Sequence, residues 1–221
     1  MSMTDTVSLT LAKRRSEILA ELADAAMPPP VLVAVSKTQS DEKIDAILAA
    51  GQRVFGENRV QEAQAHWAGR RVQIPDLELH LIGPLQTNKA EDAVALFDVI
   101  ETLDREKLAR ALAGAMEKTR RHVPVFIQVN TGEEPQKAGV LPDGLAGLLA
   151  FAAGDCGLDV QGLMCIPPVD EPAGPHFALL ARLAKRHGLA GLSMGMSGDY
   201  PLAAQFGATH VRIGSALFGA R

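Results

Sequence analysis

The sequence predicts an α/β fold, a single (β/α)8 barrel of the TIM type with an extra N-terminal helix, in one domain over residues 1–221. Three observations support this prediction. Apolar, β-branched runs alternate strictly with helical patterns, which indicates a parallel sheet. Eight such units follow one another through short connections, and no Pro/Gly/Ser-rich linker divides the chain. The alternative is a doubly wound open sheet, but no GxGxxG follows the first strand.

The N-terminal segment is predicted to be an amphipathic helix. Leu11, Ile18, Leu19 and Leu22 recur at helical spacing, and charged residues stand between them. The run Met27-Pro28-Pro29-Pro30 ends this helix and leads the chain, extended, into the first strand. Because the chain ends soon after the eighth strand, we expect this helix to cover the gap that a very short last helix leaves.

The strands are predicted from apolar runs bounded by turn residues. Their ranges are about 31–36, 53–55, 77–82, 97–100, 123–129, 158–164, 189–193 and 210–213. A helical pattern follows each of the first seven strands, and the last of these is a short helix near 198–206. The eighth strand is followed only by the start of a helix at Gly214 and Ser215.

Several of these helices carry recognisable start signals. Ser40, Asn58 and Asp104 are placed as N-caps, and Asn88 with Glu91 resembles a capping box. Pro142 suits the first position of a helix. The apolar faces behind these signals are Ile44, Ile47 and Leu48; Val60, Ala63 and Trp67; Leu108, Leu112 and Met116; Leu145, Leu148 and Leu149; and Phe177, Leu180 and Leu183.

Composition excludes several classes of protein. A hydrophobic fraction of 47% and a charged fraction of 22% are ordinary for a globular protein. The net charge of −4 argues against a nucleic-acid partner. No segment has the length and apolar character of a signal peptide or a membrane span. Cys156 and Cys165 form no metal-binding motif, so we expect reduced thiols, a cytoplasmic protein and no metal centre.

Lys37 ends the first strand, where a barrel of this kind carries its reactive groups. After the seventh and eighth strands, where phosphate often binds, the chain has the small-residue turns Ser193–Asp199 and Arg212–Ser215. In these turns Ser197, Gly214 and Ser215 can bind an anion through backbone amides and hydroxyl groups. Taken alone, each turn could equally be a plain glycine-rich turn, and Lys37 a solvated strand-end lysine.

Arg212 strengthens the case for a ligand. The eighth strand neighbours the first in a closed barrel, so Lys37 and Arg212 can face one bound molecule. An apolar, cationic environment lowers the pKa of a lysine from about 10.4 and favours attack on an aldehyde. An aldehyde that carries a phosphate is therefore indicated, and pyridoxal 5'-phosphate (PLP) is the obvious example. Arg212 could instead form a structural ion pair.

Other strand-end residues are less informative. Asn58, after the second strand, can reach inward or simply cap the next helix. A single strand histidine such as His80 is more often a structural residue with its hydrogen bonds satisfied. Met164, at the end of the sixth strand, is expected in the core, although it could line the pocket.

Seven stretches of the chain resemble the YggS/PROSC family, the pyridoxal phosphate homeostasis proteins, whose barrel is akin to the N-terminal domain of alanine racemase. They are AVSKTQ (34–39), FGENRVQEA (55–63), HLIGPLQTNK (80–89), QVNTGEEPQKAGV (128–140), GLMCIPP (162–168), LSMGMSGDY (192–200) and VRIGSALFGAR (211–221). Two departures occur: Leu79 stands where many members have Trp, and Gly198 where an acidic residue is common. Neither affects the predicted chemistry.

The resemblance implies a role for each matching site residue. Lys37 would form the internal aldimine, and Ser197, Gly214 and Ser215 would bind the phosphate. Arg212 would lie at the pyridine nitrogen and Asn58 near the ring. The implied function is intracellular PLP homeostasis, as a carrier or regulator without catalytic turnover that transiently meets PLP-dependent apoenzymes. We expect a monomer, because no long exposed apolar patch is evident.

Two enzymatic readings remain as alternatives. One is a racemase-like PLP enzyme that takes a base such as His80 from within the barrel. The other is an aldolase whose lysine attacks its substrate directly. The sequence favours a PLP holder over both, because the second acid/base group of alanine racemase comes from an additional β-domain that does not follow this barrel. An arginine at the ring nitrogen would also weaken the electron sink that carbanion chemistry needs.

Overall fold

The structure is a computed structural model, and it describes residues 3–219, with side chains from Thr6 onward. Met1, Ser2, Ala220 and Arg221 lie outside the described residues. The two ends of the predicted domain and the last two residues of the seventh family-like stretch therefore receive no structural account.

Eight parallel strands close into a barrel, as the sequence predicts. Each strand pairs with the next along the chain, and the eighth pairs with the first, so that Arg212 lies opposite Val33. The strands are β1 Val31–Val35, β2 Val54–Glu57, β3 Glu78–Leu81, β4 Val99–Leu103, β5 Val125–Gln128, β6 Val160–Met164, β7 Gly191–Ser193 and β8 His210–Ile213.

Helices surround the barrel and follow each strand. They are α1 Met3–Ala25, α2 Asp41–Ala49, α3 Val60–Gln73, α4 Ala90–Leu96, α5 Glu106–Thr119, α6 Leu145–Ala150, α7 Ala173–Arg186, α8 Tyr200–Gln205 and α9 Ser215–Phe218. Short 3-10 turns at Thr87–Lys89 and Pro142–Gly144 precede α4 and α6, and a π-helical turn at Phe151–Asp155 extends α6. None of the helices described between residues 3 and 219 combines the length and apolar character that crossing a bilayer requires.

The N-terminal helix takes the position predicted for it. It packs against α2, α8 and α9, and thereby covers the side of the barrel where the last helix is only four residues long. Leu11, Ile18 and Leu22 are buried in this contact. The Tyr200 hydroxyl donates a hydrogen bond to Glu21, and Arg15 Nε donates one to Gln52 Oε1 at 3.0 Å. These bonds fix α1 on both sides.

Strand residues face two different environments. Alternate positions such as Phe55 and Leu79 pack outward into one large apolar core between the strands and the helices. The inner layer has a small apolar cluster of Val99, Phe126 and Met164. Another part of this layer is polar, and that polar part supports the site described below.

Three predicted N-caps are wrong. The helices concerned begin after Arg59, Lys89 and Arg105, and none has a side-chain cap. Each proposed residue has another role. Asn58 lies at a cavity, and Asn88 lies inside a 3-10 turn. The Glu91 carboxylate forms an ion pair with Lys118 at 2.7 Å. Asp104 accepts a hydrogen bond from Arg105. Ser40 does cap α2, because its side chain accepts a hydrogen bond from Lys43 N.

β1 to β7 differ from their predicted ranges by one to three residues at one or both ends, and β8 matches; the differences at β2 and β4 have a clear physical reason. β2 continues through Gly56 and Glu57. Gly56 does not form a turn, and a glycine is needed there because neighbouring side chains pack closely against its backbone. A Cβ at position 56 would lie 2.9 Å from Ile82 Cδ1 and 3.0 Å from Val33 Cγ1. β4 begins two residues later than predicted and runs on through Glu101, a charged residue that the sequence pattern treats as a strand end.

Candidate functional site at the carboxyl ends of the strands

A cavity of about 590 Å³ opens where β1, β2, β7 and β8 end, a volume typical of sites for small molecules. All six predicted site residues line it: Lys37, Asn58, Ser197, Arg212, Gly214 and Ser215. The other lining residues are Val35, Gln39, Ile82, Ile166, Met196, Gly198 and Gly219. The six candidate residues selected from the sequence therefore lie around one cavity. Their contact with a ligand stays a prediction.

Lys37 enters the cavity from the turn that directly follows β1. Both Lys37 and Val35, the last residue of β1, line the cavity. Ile82 and Ile166 supply apolar wall on the same cavity. The amine is therefore carried just beyond the end of a strand and placed beside apolar surface.

Arg212 forms part of the cavity floor and is buried, with 4% of its surface exposed. Its Nη1 donates to Ser193 Oγ at 2.6 Å, and its Nη2 donates to the Cys165 carbonyl at 2.7 Å. Within residues 3–219, no protein acceptor takes the remaining Nε proton. The guanidinium is thus fixed at two nitrogens, and its Nε–H is among the donors left for a ligand in the cavity.

A buried charge network holds Arg212 from the inside of the barrel. Ser193 Oγ donates to Glu101 Oε2, which lies 4.0 Å from Arg212 Nη1. Glu101 Oε1 lies 2.6 Å from His80 Nδ1, and His80 Nε2 lies 2.9 Å from Glu78 Oε1. The chain of contacts therefore runs from Glu78 at the start of β3 to the cavity floor.

The network is charged at neutral pH. Burial alone would raise the pKa of Glu101, but the hydrogen bond and charge of His80, with Arg212 and Ser193, outweigh it and bring that pKa down to about 2. Burial would lower the pKa of His80, but Glu101 and Glu78 raise it to about 9. Glu101 is therefore a carboxylate between two cations.

His80 and Met164 do not line the cavity. Both ring nitrogens of His80 are engaged by carboxylates, so the histidine is structural, as the sequence favoured, and it is not available as a base. Met164 packs with Val99 and Phe126. Cys165 is buried, and burial raises the pKa of its thiol to about 12, whereas Cys156 is half-buried.

The turns after β7 and β8 form the opposite wall. Ala216 N donates to Ser197 Oγ at 3.1 Å and thereby joins the two turns. Gly195 adopts a φ of +91°, and a Cβ there would lie 2.5 Å from Ala203 Cβ, so only glycine fits. At Gly198 an added Cβ would meet no atom within 4 Å, which leaves its backbone open to the cavity.

The Asn58 loop is held by a close backbone approach. A Cβ at position 83 would lie 2.3 Å from the Asn58 carbonyl oxygen, so Gly83 lets the loops after β2 and β3 touch. This contact fixes Asn58 at the cavity wall and explains why it does not cap α3.

A second polar cluster lies beside the cavity. One ligand atom each from Glu57, Glu62 and His66 lies within 4.8 Å of the others, a spacing that a divalent cation can bridge. Protein donors already engage two of the three: Glu57 Oε1 accepts from Trp67 Nε1 at 3.0 Å, and Glu62 Oε1 accepts from Thr38 N. The sequence predicts no metal centre, and it gave no indication of this cluster.

Sequence reasoning also missed Glu101 and Ser193, which position Arg212. The signal that could have found Glu101 is that it is the one charged residue in the strand Val99–Leu103, since a buried charged residue needs a partner. Ser193 carried no comparable signal, because serine is common where a strand ends and a turn begins.

Comparison with known proteins places the chain among related sequences. The family model described as alanine racemase, N-terminal domain, matches residues 16–221. A pyridoxal phosphate homeostasis protein of Vibrio cholerae is 42% identical over 201 residues, which are 86% of this chain and 85% of the relative. Its Escherichia coli counterpart is 35% identical over 228 residues, 97% of each chain.

Solved structures of similar proteins share the fold of this chain. PipY of Synechococcus elongatus, solved without PLP, superposes with a TM-score of 0.85 at 38% identity, over 95% of this chain and all of PipY. The same protein with PLP bound gives a TM-score of 0.83. An alanine racemase of Clostridium difficile shares the fold alone, at 13% identity and a TM-score of 0.73, and this chain spans 57% of it.

Proposed function

Because the chain belongs to the alanine racemase N-terminal domain family, and within it to the pyridoxal phosphate homeostasis proteins, we propose that it binds PLP in the cavity at the strand ends. In this proposal Lys37 carries PLP as a Schiff base. The protein serves PLP homeostasis as a carrier or regulator and has no catalytic turnover of its own.

The residues around the cavity fit PLP in chemical character. Arg212 Nε has no protein acceptor within the described residues and suits the unprotonated ring nitrogen. Gly198, Gly214 and Ser215 offer small side chains and backbone amides, and Ser197 a hydroxyl, to a phosphate. Asn58 is fixed at the wall and adds an amide beside the ring. This match of a free arginine donor, an anion-binding wall and a lysine carries the proposal.

When bound, PLP supplies an aldehyde that a primary amine can attack. Lys37 Nζ forms the carbon–nitrogen double bond, and the aldehyde oxygen leaves as water, so the link is reversible without a redox partner. Arg212 would hold an N–H donor towards the ring nitrogen, which keeps a proton off that atom. This arrangement weakens the electron sink on which PLP enzymes depend.

A second observation supports a holder over an enzyme. Of the residues described around the cavity, Lys37 and Arg212 are the two with ionisable side chains other than hydroxyls. A racemase needs an acid/base group on each face of its substrate, and arginine does not exchange its proton near neutral pH. His80, the base of the alternative reading, lies below the floor with both nitrogens engaged.

The proposal extends to setting and partners. We infer a cytoplasmic, single-domain, monomeric protein that gives up PLP to apoenzymes through transient contacts. The reversibility of the Schiff base and the two free cysteines are compatible with this setting.

Visible absorbance spectra test the proposal. Wild-type protein, Lys37→Ala and the control Lys107→Ala, an exposed lysine on α5, are each mixed with PLP and then reduced with borohydride. We expect a Schiff-base band that disappears on reduction in wild type and control and is missing in Lys37→Ala. An equal band in all three would show that PLP reacts with other lysines and would contradict the assignment.

A further inference from the structure

The backbone on both sides of Lys37 is held by carboxylates from the neighbouring β/α unit. Ser36 Oγ donates to Glu57 Oε1 at 2.7 Å. Thr38 N donates to Glu62 Oε1. Neither carboxylate lines the cavity, although both act on residues next to Lys37 in the chain.

Thr38 occupies a backbone conformation that its side chain disfavours. Its φ is +60°, in the left-handed region that β-branched residues rarely adopt. A turn forms here, in which Gln39 N donates to the Ser36 carbonyl at 3.0 Å. Such a conformation persists only where the surroundings impose it. The bond from Thr38 N to the Glu62 carboxylate, which is charge-assisted and therefore strong, is the contact placed to do so.

The second carboxylate is itself fixed. Glu57 is fully buried, and its Oε1 also accepts from Trp67 Nε1 at 3.0 Å and lies 3.2 Å from His66 Nδ1. Ser36, which is fully buried too, therefore points outward from β1, away from the cavity. This bond fixes the backbone directly before Lys37, at the point from which the lysine enters the cavity.

We propose that Glu62 and Glu57 are positioning residues for Lys37, which hold Thr38 and Ser36 so that the lysine is presented to the cavity in a reactive position. The inference rests on the proposed function, since it concerns how fast Lys37 forms its bond with an aldehyde. Misplacement of a reacting group by about 1 Å can slow a reaction by roughly a hundredfold. Loss of either hydrogen bond should therefore slow the reaction of Lys37 while leaving the barrel folded.

The test measures the rate at which PLP becomes attached to Lys37, trapped with borohydride and located by peptide mass spectrometry. The variants are Glu62→Ala and Glu62→Gln, with Gln64→Ala as the control on an exposed position of the same helix. We expect the rate to fall about tenfold or more in Glu62→Ala, and to recover in large part in Glu62→Gln, whose amide oxygen can still accept from Thr38 N. The control should match wild type.

Two further measurements separate positioning from general destabilisation. The Tm of Glu62→Ala should differ from that of wild type by only a few degrees, because Glu62 is half-exposed. Thr38→Gly adopts the left-handed conformation without strain, so the loss caused by Glu62→Ala should be smaller in a Thr38→Gly background. The amide hydrogen of Thr38 should exchange faster in Glu62→Ala than in wild type.

Two results would overturn the inference, and they differ in meaning. If PLP becomes attached to Lys37 in wild type and at the same rate in Glu62→Ala, the positioning role is refuted and the proposed function stays intact. Wild-type protein that traps no PLP at Lys37 would refute the proposed function and the positioning role together.

Discussion

Replacing Glu101 with Gln should destabilise the barrel and loosen the arginine on the cavity floor. Glu101 is fully buried between His80 and Arg212, and it holds Arg212 through Ser193. Gln keeps the size of the side chain but removes the negative charge. Two buried cations then face each other without the carboxylate that separates them, a situation that is strongly destabilising.

The magnitude follows from the pKa of Glu101, which falls from 4.5 to about 2. At 1.36 kcal/mol per pKa unit, this is roughly 3 kcal/mol of stability. The rise of the His80 pKa reports largely the same contact and is not added to it. For a chain of this length, roughly 3 kcal/mol lowers Tm by about 6–12 °C.

Urea and thermal unfolding near pH 6 measure this loss. Glu78→Gln is the matched control, because Glu78 binds the other nitrogen of the same histidine but its side chain is 47% exposed. We expect less than about 1 kcal/mol for this exposed contact. A Glu101→Gln protein that loses no more stability than Glu78→Gln would refute the view that the network is held by charge.

The same pair predicts a pH dependence with a definite sign. The folded-state pKa of Glu101 is lowered, so its stabilisation is present above the unfolded value of about 4.5 and is lost as pH falls towards 2. The folded-state pKa of His80 is raised, so its stabilisation is complete below about 6.5 and is lost as pH rises through about 9. Unfolding free energies measured from pH 5 to 9 should decline at the alkaline end in wild type and decline less in Glu101→Gln.

Three other variants test the cavity. Arg212→Ala should weaken PLP retention about 10- to 100-fold in equilibrium dialysis, because a charge-assisted bond is worth roughly 1.5–3 kcal/mol, and unchanged affinity would remove Arg212 from the site. Ser197→Ala should raise the Kd for PLP about tenfold while pyridoxal, which lacks the phosphate, binds as before; equal losses for both would refute a phosphate contact. Gly83→Ala should cost roughly 1–3 kcal/mol in urea unfolding because its Cβ would meet the Asn58 backbone, whereas Gly69→Ala, with open space around it, should be neutral or stabilising.

Local patterns were sufficient for the barrel and for the residues that end its strands. β1 is a continuous apolar run, and Lys37 and the small-residue turns after β7 and β8 follow strands whose closure brings them together. Adjacency in a closed parallel barrel is a property of chain order, so it can be predicted without knowing any side-chain contact.

Local sequence patterns could not predict the contacts that hold these residues in place. The partner of Arg212 lies on β4, about half the chain away, and nothing near Glu101 in sequence identifies it. Asn58 satisfies the local rule for an N-cap, yet its place at the cavity is decided by the close approach of Gly83. Likewise, the left-handed Thr38 depends on a carboxylate from α3, since no glycine marks the turn.

The most direct test of the central claim is peptide mass spectrometry of wild-type protein that has been loaded with one equivalent of PLP and reduced with borohydride. We expect one dominant modified peptide, with the phosphopyridoxyl group on Lys37. Modification spread over exposed lysines, with Lys37 unmodified, would contradict it and leave the cavity without its proposed ligand.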